Sequence, residues 1–304
     1  MELRFETPST TRQYEQWASV MERITGDVFG LDEIEHFITS DTESAWLLAV
    51  DGDEALGCGV GRPSSVHSSL FAMARVVPER RRQGLGTSIY EALSAHARKL
   101  GRESLWGRVR EDDTASREFV RNRGFEEAGR EYEVVLDTAL ADTSGEPPEG
   151  IELVSLAERP ELEAAVYELD CDVGADVPRP EGDDFEAQPF ARWREQYLEG
   201  PGAMPDAIIA ALAGDELVGY TGLRRRGAIS PIAENMLTAV RPDWRRRGIA
   251  TALKREQIAR SRAAGIERIF TTNDETNAGM RGVNARLGYQ PTPAHIVVKG
   301  PLAT

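Results

Sequence analysis

Val240-Arg241-Pro242-Asp243-Trp244-Arg245-Arg246-Arg247-Gly248-Ile249-Ala250 reads as an extended run ending in a turn, then a glycine that opens a helix. A near copy stands earlier, as Val76-Val77-Pro78-Glu79-Arg80-Arg81-Arg82-Gln83-Gly84-Leu85-Gly86. Pro78 and Pro242, Arg81 and Arg245, and Gly84 and Gly248 are each 164 positions apart. Gly124-Phe125 and Gly288-Tyr289 keep the same offset. Anchors this far apart holding one offset mark a tandem duplication.

Both copies fit Arg-x-x-Gly-x-(Gly/Ala). A strand enters a tight turn, and glycine lets the backbone come close to a ligand. Unpaired N–H groups at the helix start then face an anion, helped by the helix dipole and the neighbouring arginines. A dinucleotide fingerprint would need a third glycine and a later acidic residue, and a P-loop would need Gly-Lys-Ser/Thr. Neither is present.

Duplicated, and placed between a strand and a helix, the pattern resembles the acyl-CoA pyrophosphate loop of the GNAT acetyltransferase superfamily. The two-half layout is similar to that of mycothiol synthase-like acetyltransferases, although no substrate residues assign that activity. The resemblance implies an α/β (α+β) chain of two tandem GNAT folds, each a mixed, splayed β-sheet flanked by helices. The sheet would open between its fourth and fifth strands, with the pantetheine arm of acetyl-CoA paired to the fourth.

The chain supports that order. Residues 2–7 alternate as a first strand and helical runs reach about residue 39. A hairpin spans 46–60, and a strand over 68–77 delivers the first loop. Leu85, Ile89, Leu93, Ala97 and Leu100 form one apolar helix stripe, closed by Gly101. Strand 105–109, a helix over 114–123 and a strand ending near 136 follow. The Pro- and Gly-rich stretch 138–150 reads as a linker between an N-terminal domain, 1–137, and a C-terminal domain, 151–304. The second half repeats the plan: strand 151–155, helices within 160–199, a hairpin over 207–223, strand 232–240 and a helix to Ala264. Strand 268–272, a helix over 276–287 and a last strand at 295–299 complete it. Residues 170–188 read as an acidic surface loop, or a flap over a substrate site.

Composition bounds the partners. The chain has 304 residues, 40% hydrophobic and 29% charged, enough for two cores. No apolar run approaches a membrane span and the acidic start is no signal peptide, so a cytoplasmic protein is expected. Cys58 and Cys171 lie in different halves, and the four histidines are scattered, so no metal is expected. A net charge of −15 disfavours nucleic acid. It suits a cationic acceptor, and acidic residues kept for solubility account for it equally.

The halves differ in chemistry. In the GNAT pattern the fourth strand often carries a glutamate eleven positions before the loop arginine. Glu234 stands there in the second half, Leu70 in the first. A carboxylate at that place could take a proton from an attacking ammonium. The resemblance implies cofactor contacts at Leu237, Thr238, Ala239 and Val240, then at Arg245, Arg246, Arg247, Gly248, Ile249, Ala250 and Thr251. It adds Asn273, Asn277 and Asn284, with Asn273 or Asp274 expected to cap the following helix and Asn277 to bind. In the first half the corresponding contacts are Val76, Arg81, Arg82, Gln83, Gly84, Leu85, Gly86 and Thr87. There Glu111-Asp112-Asp113-Thr114 replaces the asparagine region, where acidic groups would repel a polyphosphate. The tyrosine that many family members carry four residues before the second glycine is missing, with Val120 and Asn284 in its place. Tyr220 and Tyr289 are the available phenols. Arg224-Arg225-Arg226 is expected in solvent at a hairpin tip.

The expected activity is acetyl transfer from acetyl-CoA to a primary amine of a small molecule, in the C-terminal half, by a monomer or homodimer. An enzyme acting on a protein N-terminus or lysine, and a non-catalytic acyl-CoA sensor, remain as alternatives.

Overall fold

The computed structural model describes residues 3–26, 28–63, 68–174, 187–273 and 277–304. In chain order the elements are β1 (Leu3–Glu6), α1 (Thr11–Thr25), α2 (Leu31–Ser40), β2 (Ala45–Asp51), β3 (Glu54–Pro63) and β4 (Ser69–Val76). Next come α3 (Leu85–Lys99), β5 (Ser104–Arg110), α4 (Thr114–Arg121), β6 (Glu126–Asp137), β7 (Glu152–Ser155) and α5 (Glu163–Gly174). The remainder is α6 (Phe190–Arg194), β8 (Ile209–Ala213), β9 (Glu216–Arg225), β10 (Ile232–Val240), α7 (Ile249–Ala263), β11 (Arg268–Asn273), α8 (Ala278–Arg286), β12 (Gln290–Pro291) and β13 (His295–Pro301). Each predicted element is found within a few residues. Residues 175–186 of the predicted acidic loop lie outside the described residues.

Two compact units form, but their limits differ from the division at 137 and 151. Unit 1 is Met1–Glu131 with Pro293–Thr304, and unit 2 is Tyr132–Thr292. Strand pairing is the reason. The final strand, β13, pairs antiparallel with β5 and with residues 126–131 of β6 in unit 1. The second part of β6, 132–137, pairs antiparallel with β11 in unit 2. The stretch 138–150 is likewise no free tether. Thr138 is buried and its hydroxyl donates to the Ile266 carbonyl at 2.7 Å, while Ala141 joins the core around Leu136, Ile258 and Tyr289. Arg262 holds the Ala141 carbonyl at 2.9 Å. The polar composition hides these anchors, because a few buried contacts suffice to tie down a short segment.

Unit 1 carries the order β1-β2-β3-β4-β5-β13-β6, and unit 2 the order β6-β11-β10-β9-β8-β7. In both, one parallel contact joins otherwise antiparallel neighbours: β4 with β5, and β10 with β11. Helices lie on the two faces. In unit 1, α1 and α2 enclose Trp17, Ile34, Trp46 and Leu48 against the sheet, and α3 covers the other side through Leu85, Ile89 and Leu93. In unit 2, α5 and α6 bring Val166, Leu169 and Trp193 to Tyr220 and Ala239. Helix α7 packs Ile249 and Leu253 on Ile209, Ala211 and Val218. Each fully buried aliphatic side chain of this kind contributes about 1.5–3 kcal/mol, so the faces of β4 and β10 are held from both sides.

Candidate active site

The two loops have one geometry. After β4, residues Pro78–Arg80 make a single 3-10 turn, Arg82 takes φ 61° and Gly84 φ 88° before α3 begins. After β10, Pro242–Trp244 make the same turn, Arg246 takes φ 63° and Gly248 φ 85° before α7. Arg82 and Arg246 are the only non-glycine residues with positive φ among those described. Such a conformation costs an L-residue about 1–2 kcal/mol, and both loops adopt it at the same place. Among the described residues, the N–H groups of 82–86 and 246–250 make no backbone hydrogen bond. Thr87 and Thr251 are the first to bond back, to the Gly84 and Gly248 carbonyls at 2.9 and 3.1 Å. Gly86 has a second constraint, since a Cβ there would sit 3.1 Å from the Phe119 ring.

The arginines divide their roles. Arg81 Nε donates to the Val76 carbonyl at 3.1 Å, and Arg245 Nε to Val240 at 3.0 Å, each closing its loop onto its own strand. Arg247 donates to the Asp243 carbonyl at 2.9 Å and lies over Trp244. Gln83 donates to the Glu79 carbonyl at 3.3 Å, and the Thr87 hydroxyl is taken by Arg123. The side chains of Arg82 and Arg246 are exposed beside the N–H cluster.

The sheet of each unit opens where the parallel pairing ends. β10 pairs with β11 only over Ile232, Ala233 and Glu234, and β4 with β5 only over Ser69, Leu70 and Phe71. Beyond that point Thr238, Ala239 and Val240 keep partners on β9 alone. The open edge of β10 also holds a β-bulge. Asn235 lies opposite Leu223 and Thr238 opposite Thr221, so Met236 and Leu237 share the single partner Gly222. β4 runs against β3 without interruption. A bulge leaves one strand group unpaired and re-aims the side chains around it. Here it separates the two faces of β10: Leu237 and Ala239 pack toward α5 and α6, whereas Val240 packs toward α7.

This bulge corrects the alignment of Glu234 with Leu70. Glu234 pairs with Phe270, and the residue paired with the equivalent Trp106 is Phe71. Leu70, fully buried against Ala97 and Leu105, faces α3 and matches Ala233 instead. Counting back from the loop misplaces the match by one, because unit 2 carries one more residue there.

Glu234 is partly exposed, with Arg226 Nε 3.8 Å from its carboxylate. On the same face, Tyr220 donates to the Asp170 carboxylate from α5. Burial raises the pKa of Asp170, and burial also raises those of Tyr197 and Tyr220, with the Asp170 charge adding to both. Tyr197 additionally feels Arg224 and Glu234, which brings Asp170, Tyr197, Arg224 and Glu234 into one electrostatic neighbourhood. Arg225 and Arg226 are not solvated as expected. Arg225 holds the Ser230 and Ala264 carbonyls at 2.8 and 2.6 Å, and Arg226 pairs with Glu133 at 2.5 Å over the Phe270 ring.

Asn277, rather than Asn273 or Asp274, caps α8, accepting from the Met280 N–H at 3.1 Å. Asp274 and the side chain of Asn273 lie outside the described residues. Asn284 is buried. In unit 1 the acidic run is spent locally: Asp113 caps α4 at Ser116, Asp112 is forked by Arg110, and Glu111 takes the Ala294 N–H and Arg130. Sequence reasoning missed Asp170, Tyr197 and a buried Lys254–Asn235 pair behind the bulge. No sequence signal marked the bulge, because Ile232-Ala233 and Ala239-Val240 are adjacent apolar pairs just as Met236-Leu237 is.

The model of the acetyltransferase (GNAT) family matches residues 11–125 and again 166–289. Among solved structures, a GCN5-related N-acetyltransferase from Sphaerobacter thermophilus superposes with a TM-score of 0.73 at 18% identity, covering 99% of this chain and 96% of that one. A tandem GNAT protein from the clavulanic acid biosynthesis pathway gives 0.73 at 19%, covering 100% and 99%. A putative acetyltransferase from Pyrococcus horikoshii gives 0.60 at 13%, covering 98% and 89%. A search of curated protein sequences found no match. The chain belongs to the acetyltransferase (GNAT) family, as two such domains in tandem.

Proposed function

We propose that unit 2 transfers an acetyl group from acetyl-CoA to a primary amine of a small molecule. Acetyl-CoA fits the residues present: the bare N–H cluster at 246–250 suits a diphosphate, and the unpaired edge of β10 suits an amide-bearing arm. When bound it supplies the activated acetyl group. Arg246, Gly248, Ile249 and Ala250 bind the diphosphate, with Asn277 nearby at the start of α8. The bulge at Met236-Leu237 offers backbone N–H toward the thioester carbonyl, where fixed donors stabilise developing charge. Glu234 takes a proton from the acceptor's ammonium and so frees the amine that attacks the thioester carbonyl, with the C–S bond breaking to release CoA as its thiolate. Asp170 and Glu234 give the acceptor side an acidic lining, which suits a cationic amine.

The observation that carries this reading is that Glu234 and the bulge share one strand at the point where the sheet opens. Unit 1 has the loop without either, so we assign it acyl-CoA binding without turnover. The test is CoA release, followed with a thiol reagent, over a panel of primary amines. Amine-dependent release that Glu234→Gln abolishes supports the proposal. Release that Glu234→Gln leaves intact removes Glu234 as the base, and release without regard to amine removes the acceptor class.

A further inference from the structure

Behind the bulge lies a polar cluster that the proposed chemistry does not use. Lys254 of α7 is 1% exposed, and its Nζ donates to Asn235 Oδ1 at 3.1 Å while lying 5.0 Å from the centre of the Tyr289 ring. Asn235 Nδ2 reaches Thr238 Oγ1 at 3.4 Å, and Thr238 Oγ1 meets Thr221 Oγ1 at 2.8 Å. Thr221 and Asn235 are buried as well. No carboxylate pairs with Lys254 among the described residues, and burial pushes its ammonium down to about 7. A lysine left alone in a core is costly, so its place there needs a reason other than stability.

The topology supplies one. Asn235 and Thr238 are the last regular residue before the bulge and the first after it, and Thr221 is the partner of Thr238 on β9. The cluster therefore clamps both ends of the bulge from the α7 side. In unit 1, pairing and helix register put Ala72, Ala74, Gly59 and Tyr90 at these four places. Tyr90 there bonds to the Pro301 carbonyl instead, and the strand is regular. Cluster and bulge occur together in one unit and are missing together from the described residues of the other.

We infer that Lys254 is a positioning residue: through Asn235 and Thr238 it holds the bulge of β10 in the conformation that presents its backbone donor to the acetyl carbonyl of the bound thioester. This rests on the reading that unit 2 is the acetyl-CoA site. Lysine can donate to Asn235 in either form, since the amine and the ammonium both carry N–H groups. A bulge freed of the clamp can regularise or turn its donor away, and the acetyl group then loses one hydrogen bond while the rest of the cofactor loses nothing.

The test compares acetyl-CoA with CoA, which lacks the acetyl carbonyl, by calorimetry in a Gly84→Glu background that silences the first loop. Lys254→Met keeps an unbranched side chain, one atom shorter, and removes its donors. Thr221→Val keeps its shape and removes the hydroxyl that meets Thr238, which breaks the clamp from the other end. Both variants are expected to raise the Kd for acetyl-CoA about fivefold, the worth of one hydrogen bond, with the Kd for CoA unchanged. An unchanged acetyl-CoA Kd in both overturns the inference. So does an equal loss for the two ligands, which is what general disruption of unit 2 produces. A background protein that still binds CoA and acetyl-CoA when Gly248→Glu is added, or that binds neither without it, overturns the underlying assignment of the site, and the inference falls with it.

Discussion

Glu234 of β10 and Phe71 of β4 stand at the same place in their two sheets, although they are 163 rather than 164 positions apart. Glu234 lies opposite Phe270 on one side and Arg224 on the other, and Phe71 lies opposite Trp106 and Arg62. The missing residue of offset is the bulge at Met236-Leu237. A carboxylate beside an opened strand can move a proton, and a phenyl ring cannot.

Glu234→Gln should lower the rate of amine acetylation by about 10²- to 10⁴-fold, the range for losing a positioned general base. Its Kd for acetyl-CoA should stay within a factor of two or so, since the diphosphate loop is untouched. Phe71→Glu should create no transfer in unit 1, because that unit has the carboxylate's place but no bulge. Initial rates of CoA release with calorimetry on the same preparations check all three. A Phe71→Glu protein that acetylates amines when Glu234 is Gln would show that the bulge is dispensable.

Strand and helix order was legible because it is written locally, in the stripe of Leu85, Ile89, Leu93 and Ala97 and in the paired Gly84 and Gly248. The loop's turn, with its run of N–H groups that make no backbone hydrogen bond, was legible for the same reason. What the sequence concealed is non-local. Nothing in residues 126–137 says that the first part pairs with β13 and the second with β11. The bulge was concealed because counting back from Arg245 presumes equal strands. Asn277 and Asp274 are equally good caps by composition, and only the backbone chooses between them.

The two loops can be silenced separately. Gly84 and Gly248 have φ of 88° and 85°, so any side chain there is strained, and a carboxylate also repels a diphosphate. Calorimetry with acetyl-CoA should find two sites in the wild type. Gly84→Glu should remove one and Gly248→Glu the other, with Tm lowered by about 2–8 °C in each case. A single wild-type site lost only with Gly248→Glu would leave unit 1 as a scaffold.

Lys254 gives unit 2 a definite pH signature. Its folded pKa of about 7 lies below the ordinary 10.5. Between those values the unfolded chain holds a proton that the folded protein has released, so this residue's contribution to stability improves as pH rises from 7 to 10.5. Below pH 7 both states are protonated and the full penalty of the buried ammonium remains. Lys254→Met removes that penalty at the expense of one hydrogen bond worth about 1 kcal/mol. The penalty is the larger of the two, so the variant should be more stable than wild type by at least about 1 kcal/mol at pH 6, with Tm up by roughly 2–4 °C. The gain should shrink toward pH 10. Thermal unfolding at pH 6, 8 and 10 checks it, and a variant less stable at pH 6 would mean that the lysine is held by more than Asn235.

The division of the chain is testable by cutting it. A fragment of residues 151–304 follows the sequence repeat but lacks 132–137, so β11 loses its antiparallel partner and the core loses Leu136, fully buried among Ala233, Ile258 and Ile269. It also carries β13 with neither of its partners. A fragment of residues 132–292 keeps every strand of unit 2 and leaves no such edge. Losing a buried leucine costs about 2–5 kcal/mol, and the unpaired face of β11 adds an aggregation-prone edge. That is a large share of the 5–15 kcal/mol typical of a domain. Residues 132–292 should therefore give a soluble fragment with a cooperative thermal transition that binds acetyl-CoA, whereas 151–304 should aggregate or unfold without a sharp transition. If 151–304 melts cooperatively and 132–292 does not, then β6 is not shared in solution as its pairing indicates, and the repeat boundary is the folding boundary after all.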